Sequence, residues 1–423
     1  MESTNSKKRY YNTLIFACVG LYTAMMAVKG IFVAEIISVM NAFNTTKSLA
    51  SIANTYYFIV YALTQFVLAF FIHKLPVKRY LAITISLSVV TYFILVFLLN
   101  EISQVWYLFA INGFAQGGVV AITKLILGKY LPIQYSSKAN KMYLAGAAVG
   151  NASCYGVSGI CVEFLSWKVP FIFFATLFAC MLVFFIITLI KVEKNCKPMI
   201  VDKKEEYKNA VKTEKSFVVL PSSKSRAVFI VVMMVYAVLT NVAAYAINNW
   251  MVVYLKEVFD FSESLSIFVT IGTLIVTMVG PMIGISLSQR FKNYATLSAV
   301  LYIFPLVITF IMIFLYNFNF IFSLVLLVLF EICNSCASGC SANLVFDMRS
   351  QINPGRYSAF NNVSASLAAG IVPTIVSVII DSWGWSAQYM FVAITYVVII
   401  LMMIILNKVI KSVNRKYLHL YQS

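Results

Sequence analysis

Long apolar segments recur along the whole chain and are separated by short polar ones. Most contain about 20 residues or more, the length that an α-helix needs to cross the hydrocarbon core of a bilayer. Because lipid offers the backbone no hydrogen-bond partners, we expect each segment to be helical. The segments lie near residues 14–40, 49–72, 80–99, 105–131, 140–162, 169–190, 227–255, 264–287, 295–316, 319–346, 357–380 and 389–410. The pattern predicts an all-α membrane protein with twelve transmembrane helices.

The composition agrees with a surface that faces lipid. Of 423 residues, 61% are hydrophobic and 11% are charged, and the mean hydropathy is +0.88. Soluble domains usually carry about 25% charged residues. A chain this apolar is not expected to be a soluble enzyme.

The basic residues are distributed unequally between the two sides of the predicted membrane. Segments on the side of the two termini hold 27 lysines and arginines, and the other side holds three, Lys47, Lys168 and Lys256. The positive-inside rule then predicts that both termini are cytoplasmic and that the protein lies in the cytoplasmic membrane. The net charge of +17 follows from this topology, so it does not indicate nucleic-acid binding.

One long polar segment, 191–226, interrupts the apolar pattern. We expect it to be a cytoplasmic linker between two six-helix bundles, 1–190 and 227–423. The two halves also look duplicated, with several short matches in the same order at nearly constant offsets. At an offset of 218, Glu163, Trp167 and Phe173 match Asp381, Trp385 and Phe391. A repeat in the same direction predicts two pseudo-symmetric bundles.

Four charged side chains lie inside predicted spans: Lys29 and Glu35 in span one, Lys124 in span four and Glu331 in span ten. A charge at membrane depth costs at least about 2.5–3.5 kcal/mol, so it normally faces a cavity or a partner. Lys29 either attracts an anionic or electron-rich group of a solute or forms an ion pair with a buried acid. Lys124 is either a substrate contact or a gate and anchor between helices.

The two embedded acids are candidates for coupling transport to a driving ion. Burial favours the neutral form of a carboxyl group, so Glu331 can take up and release a proton during transport. The alternative for Glu331 is a fixed interaction with an opposing cation. Glu35 follows Lys29 by six residues, so the two point to different faces of their helix and are not expected to pair.

Polar side chains form stripes on several predicted helices. Asn241, Tyr245 and Asn248 follow one face of span seven, where we favour contact with a wet cavity. Tyr57 and Tyr61 likewise lie on one face of span two. There, lining of a substrate cavity and hydrogen bonding between helices are equally good explanations.

Small residues mark predicted helix contacts. We expect the glycines of span four, among them Gly113 and Gly117, to pack against those of span five, such as Gly150, because glycine allows close approach. Cys333, Cys336 and Cys340 share one helical face, and we favour close packing over a metal site because no histidine or carboxylate cluster accompanies them.

Two kinds of chemistry lack the residues that they need. The chain has no Gly-Lys-Ser/Thr loop that would cradle phosphates, and this argues against ATP-driven transport. It has only two histidines, too few to indicate a histidine-based metal site or a nucleophile activated by histidine. We therefore predict neither an enzyme nor a cofactor.

Four segments carry a resemblance to a known family. They are Gly113-Phe114-Ala115-Gln116-Gly117, Trp250 with the run Tyr254 to Val258, Ser341 to Phe360, and the run Asp381 to Trp385. The chain resembles the organophosphate:phosphate antiporter branch of the major facilitator superfamily. The resemblance implies the major facilitator fold, in which spans one, four, seven and ten line the central cavity.

The resemblance also implies roles for particular positions. In that branch an arginine of span one and another of span seven converge on the substrate phosphate. Lys29 stands where the first would fall, Lys124 stands near a basic residue of span four, and the second position falls near Ala244. A single lysine lacks the bidentate fork of arginine, so a monoanionic or amphoteric solute fits better than a phosphate ester.

These features together predict a secondary transporter working by alternating access between its halves. Its partners are expected to be a small solute, the lipid bilayer, and either protons or a counter-solute, and we expect a monomer. The alternative is a transporter-like membrane sensor that binds a solute and signals to a partner.

Overall fold

The computed structural model describes residues 2–132, 135–196, 223–277, 279–291, 294–347 and 354–421. Within these ranges all regular structure is helical. In chain order the helices are α1 (Glu2–Ala34), α2 (Ile36–Ala42), α3 (Lys47–Phe71), α4 (Val77–Phe97), α5 (Ile102–Gln116), α6 (Val119–Tyr130), α7 (Ser136–Phe164), α8 (Lys168–Asn195), α9 (Ser223–Asn248), α10 (Met251–Phe259), α11 (Glu263–Val276), α12 (Val279–Arg290), α13 (Tyr294–Leu315), α14 (Phe320–Asp347), α15 (Pro354–Trp383) and α16 (Trp385–Tyr421).

Some predicted spans consist of two consecutive helices. Span one is α1 and α2, span four is α5 and α6, and span seven is α9 and α10. The hydrogen-bond ladder continues across the first two breaks. The N–H of Glu35 donates to the carbonyl of Ile31 at 2.8 Å, and the N–H of Gly117 donates to that of Gly113 at 3.1 Å. These breaks therefore keep the backbone paired, as a span in lipid requires.

Ten helical segments of the described ranges are long and apolar enough to cross a membrane. The other two predicted spans, 49–72 and 140–162, are also helical, and they correspond to α3 with 25 residues and α7 with 29. At 1.5 Å per residue these helices measure about 38 and 44 Å, which is enough to span a bilayer. Both carry buried polar side chains, including Asn54 on α3 and Ser158 on α7. The all-α membrane architecture is confirmed.

The described helices fall into two compact units. The first contains α1 to α8 together with the segment Phe261–Ile271, which includes the start of α11. The second contains α9, α10 and the chain from Gly272 onward. Most of the predicted linker, 197–222, lies outside the described residues, so the bundle boundaries at 190 and 227 stay predictions.

Glycines allow close helix contacts in the first unit, where α3 packs against α5 and α1 packs against α7 and α8. A methyl group on Gly113 of α5 would collide with the carbonyl of Tyr57 on α3, and one on Gly150 of α7 would collide with that of Thr23 on α1. The prediction that the glycines of spans four and five pack on each other is therefore wrong. Each set faces a helix that is distant in sequence, and only the packing of the bundle selects that helix.

The second unit is held together by similar contacts. Helix α13 packs against α14 and α16, α12 packs against α14, and α9 packs against α15 and α16. Gly284 of α12 lies directly against the backbone of Cys336 and Cys340 on α14. Both thiols are buried, so this cysteine face forms a close helix contact.

Candidate solute-binding and coupling sites

Lys29 lies near the middle of α1 in aromatic surroundings. Its Nζ is 4.5 Å from the centroid of the Phe58 ring and 5.2 Å from that of Tyr61, both on α3. The side chain is partly exposed. In the described part of the chain Lys29 has no carboxylate within ion-pair distance. Ring faces attract the ammonium by about 0.5–2 kcal/mol but carry no net charge, so the cation remains uncompensated there.

Tyr57 and Tyr61 stack on each other, with ring centroids 5.7 Å apart. The hydroxyl of Tyr57 donates to Oε1 of Gln116 on α5 at 2.7 Å. The amide of Gln116 donates in turn to Ser88 on α4 at 3.0 Å. Tyr57 is thus part of a buried hydrogen-bond network across three helices, whereas Tyr61 lies beside Lys29.

Lys124 lies on α6 and is exposed. Its Nζ is 5.4 Å from the centroid of the Tyr143 ring on α7. The Tyr143 hydroxyl is 2.8 Å from that of Thr123, and its ring stacks on Tyr22 of α1 at 4.0 Å between centroids. These contacts fix the position of Tyr143, which in turn supports the lysine.

The two lysines belong to one side-chain cluster in the first unit. Tyr61 and Tyr143 are close enough to interact electrostatically, and each carries one of the lysines against its ring. We call Lys29, Tyr61, Lys124 and Tyr143 the lysine–tyrosine face. Neither of its lysines forms an ion pair with a carboxylate among the described residues. The face therefore presents two cations and aromatic rings, which suits an anion.

Glu35 lies at the bend between α1 and α2, away from Lys29, as the helical spacing predicts. Its carboxylate is fully buried, and neither oxygen has a hydrogen-bond partner within the described ranges. Ser158 of α7 and Glu263 of α11 lie beside it, and Ser38 donates a hydrogen bond to Glu263. An adjoining open cavity of about 470 Å³ is lined by Ser38, Asn41, Ala42, Val162, Ser166, Trp167 and Glu263.

Glu331 lies near the middle of α14 in the second unit and is 2% exposed. Asn248 at the end of α9 lies beside its carboxylate, and Tyr396 of α16 is close enough to interact with it electrostatically. One carboxylate oxygen has no hydrogen-bond partner among the described residues, and no cation forms an ion pair with Glu331 there. Glu331 is thus a buried acid with an unfilled hydrogen-bond acceptor in the described part of the chain.

The predicted stripe on span seven has different surroundings along its length. The Asn241 amide donates to the carbonyl of Ala237 in its own helix at 2.6 Å. Tyr245 is partly exposed, as is Asn248. Asn248 lies beside an embedded charge, the carboxylate of Glu331.

A family comparison identifies the chain. The model described as Major Facilitator Superfamily matches residues 15–369. The chain belongs to the Major Facilitator Superfamily. It is therefore a multi-pass membrane transporter with the predicted major facilitator fold, and proteins of this superfamily bind small solutes and are often coupled to protons or to a counter-solute.

Solved transporter structures share this superfamily fold. The nucleoside transporter NupG is 17% identical with a TM-score of 0.65, covering 94% of this chain and 98% of that one. A bacterial homolog to the human lysosomal transporter Spinster is 13% identical with a TM-score of 0.69, covering 97% and 98%. The xylose transporter XylE from E. coli is 12% identical with a TM-score of 0.67, covering 93% and 97%. At these identities the likeness shows the fold alone.

The sequence matches none of the curated proteins. The solute of this superfamily member is therefore inferred from its own side chains.

Several polar residues of this superfamily member were not predicted as parts of a site. Gln116 connects Tyr57 with Ser88, and its spacing of four from Asn112 in a glycine-rich helix was a usable signal. Tyr396 lies in a segment rich in aromatic residues, where nothing in the sequence distinguishes a tyrosine at a site from one that packs.

Proposed function

We propose that this transporter moves a small polar organic solute, anionic or amphoteric, across the cytoplasmic membrane by alternating access. The observation that supports this most is the lysine–tyrosine face, whose two lysines lack carboxylate partners among the described residues. An uncompensated cation at membrane depth is costly, and a bound anion offsets that cost. Lys29 and Tyr61 are the proposed first contacts, and Lys124 is the second cation.

The chemistry of the face favours a singly charged anionic group over a phosphate ester. The likeness to organophosphate:phosphate antiporters supports an anionic solute. Lysine, however, binds as a point charge, without the bidentate geometry that arginine offers to phosphate. Ala244, where that branch has its second arginine, cannot add a cation. A carboxylate, alone or in an amphoteric solute, matches this donor set.

We propose Glu331 as the site where a proton drives transport, with Glu35 as a second candidate. Both carboxylates are buried, and each has an oxygen without a hydrogen-bond partner in the described part of the chain. A carboxyl group in this condition is a suitable place to take up and release a proton, because its charged form has few partners nearby. Exchange against a counter-solute without a proton is the outcome that would remove this role.

The halves 1–190 and 227–423 move relative to each other during transport, and residues 191–226 link them. Asn241, Tyr245 and Asn248 contribute to solute binding from the second half, and Tyr57 contributes through its position beside Tyr61. Both termini face the cytoplasm, and the functional unit is a monomer.

A two-stage experiment tests this function. Purified protein is first screened by thermal shift against carboxylated, zwitterionic and phosphorylated metabolites. Uptake of each stabilising compound is then measured in proteoliposomes, with empty liposomes as the control. We expect carboxylated or zwitterionic compounds both to stabilise the protein and to be transported. Binding without uptake would indicate a sensor, and a response to phosphate esters alone would contradict the proposed solute class.

A further inference from the structure

One embedded acid of the first unit is buried with unused hydrogen-bonding capacity. Glu35 is 0% exposed, and neither of its carboxylate oxygens has a hydrogen-bond partner among the described residues. The hydroxyl of Ser158 on α7 is also fully buried and has no partner in that part of the chain. Burying a charged group without partners is costly, so this pair of side chains points to a ligand that both would bind.

The packing of α1 against α7 places these two groups at the same level. The close approach at Gly150 is followed, one turn further along both helices, by that of Gly30 to Cys154. A methyl group on Gly30 would lie 2.6 Å from the Cys154 sulfur. The two helices therefore run in the same direction, and about one more turn brings Ser158 to the level of Glu35.

The first turn of α11 adds a second acid to this group. The hydroxyl of Ser264 donates to the carbonyl of Gly159 on α7 at 2.9 Å, which holds the start of α11 against that helix. Glu263 precedes it and accepts a hydrogen bond from Ser38, which lies one turn after Glu35. This part of α11 belongs to the first unit, as do α1, α2 and α7.

The four side chains Glu35, Ser38, Ser158 and Glu263 form what we call the oxygen cluster. Ser38 and Glu263 also line the open cavity of about 470 Å³, together with the amide of Asn41. Because these two residues belong to both the cluster and the cavity, a small ion that enters the cavity reaches the side chains around Glu35.

We propose that the oxygen cluster binds a sodium ion. All its polar atoms are carboxylate and hydroxyl oxygens, the kind of ligand that hard cations prefer. Two carboxylates held close together repel each other, and a cation bound between them removes the repulsion. The inference goes beyond the proposed function, in which Glu35 is a second candidate for a proton, and it depends neither on the solute nor on Glu331.

Other cations fit the oxygen cluster less well. A calcium ion takes about 6–8 oxygens, and the cluster reaches that number only if both carboxylates bind through both oxygens. One oxygen of Glu263 already accepts from Ser38. An organic ammonium group is larger and fits the open cavity better than the fully buried oxygens of Glu35.

Two substitutions remove ligands, and a third is their matched control. Glu35→Gln keeps the shape of the side chain and removes its charge, and Ser158→Ala removes one hydroxyl. Glu163→Gln is the control, because Glu163 is an exposed acid of α7 directly after Val162, which lines the cavity. If Glu35 only filled space in its neutral form, Glu35→Gln would leave every response to sodium unchanged.

The measurement follows the ion on the purified full-length protein, so it needs no identified solute. Binding of radioactive sodium is measured by equilibrium dialysis in choline chloride, with potassium and calcium as competitors. We expect saturable binding that Glu35→Gln and Ser158→Ala each weaken at least about tenfold, since even outer partners of a metal contribute that much to affinity. Glu163→Gln should bind like the wild type.

Thermal unfolding gives a second readout. Sodium should raise the unfolding temperature of the wild type and of Glu163→Gln at constant ionic strength, because a ligand of the folded state stabilises it. It should not do so for Glu35→Gln, which should be at least as stable as the wild type without sodium. If Glu35→Gln does not fold, the comparison of Ser158→Ala with Glu163→Gln decides the question.

The outcomes separate this site from the proposed function. Saturable sodium binding that is weakened in Glu35→Gln and Ser158→Ala, and not in Glu163→Gln, supports the site. The sodium site is rejected by an absence of saturable binding, by equal stabilisation with potassium or choline, or by displacement with far less calcium than sodium. None of these results alters the solute screen or the proton role of Glu331, which fail or succeed in their own assays.

Discussion

At the scale of single residues, the environments of two embedded charges carry most of the functional argument. The Lys29 ammonium faces aromatic rings. The Glu331 carboxylate is buried, and one of its oxygens has no hydrogen-bond partner among the described residues. Both environments lower the stability of the folded protein, because each holds an ionisable group in the membrane without a complete set of partners. Such groups are typical of sites that bind and release a solute or a proton.

Lys29 is expected to determine affinity for the solute. Lys29→Ala removes a charged hydrogen-bond donor, a loss of about 1.5–3 kcal/mol, which corresponds to roughly a tenfold to hundredfold rise in the half-saturating concentration. Lys29→Arg keeps the charge and should retain part of the uptake. The measurement is initial uptake in proteoliposomes of a solute identified by the screen.

Lys129→Ala is the control for Lys29, because Lys129 also lies over a tyrosine ring, at 5.2 Å from the Tyr130 centroid, but at the end of α6. It should transport normally. Wild-type uptake by both Lys29 variants would show that this lysine does not bind the solute.

Glu331 is expected to determine coupling. Glu331→Gln imitates the neutral carboxyl group and cannot release a proton, so accumulation driven by a proton gradient should be lost while solute counterflow continues. The two assays use the same proteoliposomes with and without an imposed gradient. Glu101→Gln, at an exposed acid before α5, is the control. Unchanged accumulation in Glu331→Gln would exclude this residue as the coupling site.

At the scale of helices, glycine placement decides which helices approach closely. The sequence shows that spans four and five are rich in glycine, but not which helix faces each glycine. The structure brings Gly113 against the backbone of Tyr57 and leaves Gly128, on the next helix of the same span, with no neighbour in reach of an added methyl group. The two glycines therefore have opposite consequences for stability.

Alanine substitutions at these glycines test the helix contact. Gly113→Ala should lower stability by about 1–3 kcal/mol, because an added methyl group forces the backbones of α3 and α5 apart. Gly128→Ala should raise stability by about 0.5–1 kcal/mol, since it meets nothing and favours the helix. Thermal unfolding in detergent measures both. Equal shifts in the two variants would contradict the contact between α3 and α5.

At the scale of the whole molecule, the distribution of basic residues predicts the orientation in the membrane. Twenty-seven lysines and arginines lie on the predicted terminal side and three on the other. The charge bias acts during insertion and is independent of how the helices later pack. Orientation is thus predicted by the sequence alone.

Epitope tags at both ends test this orientation. Antibodies should label neither tag in intact cells and both tags after permeabilisation, because both termini are expected to be cytoplasmic. A tag placed in the segment between α7 and α8, near Ser166, serves as the control and should be labelled in intact cells. Labelling of one terminal tag from outside would mean an odd number of spans.

The sequence by itself determined the properties that hydrocarbon imposes locally. These are the helical spans, the side on which basic residues gather, and the short list of charges too costly to leave in lipid, Lys29 among them. Each follows from the transfer free energy of a segment or a side chain, which depends little on distant residues.

Only the tertiary structure decided which distant residues meet. It placed Tyr57 in a hydrogen-bond network and Tyr61 beside a lysine, although both lie on one stripe of α3. It also joined Tyr236, Tyr302 and Ser341, which are separated by up to 105 positions in the sequence. These contacts depend on how side chains from several helices fill a shared interior, and no single segment contains that information.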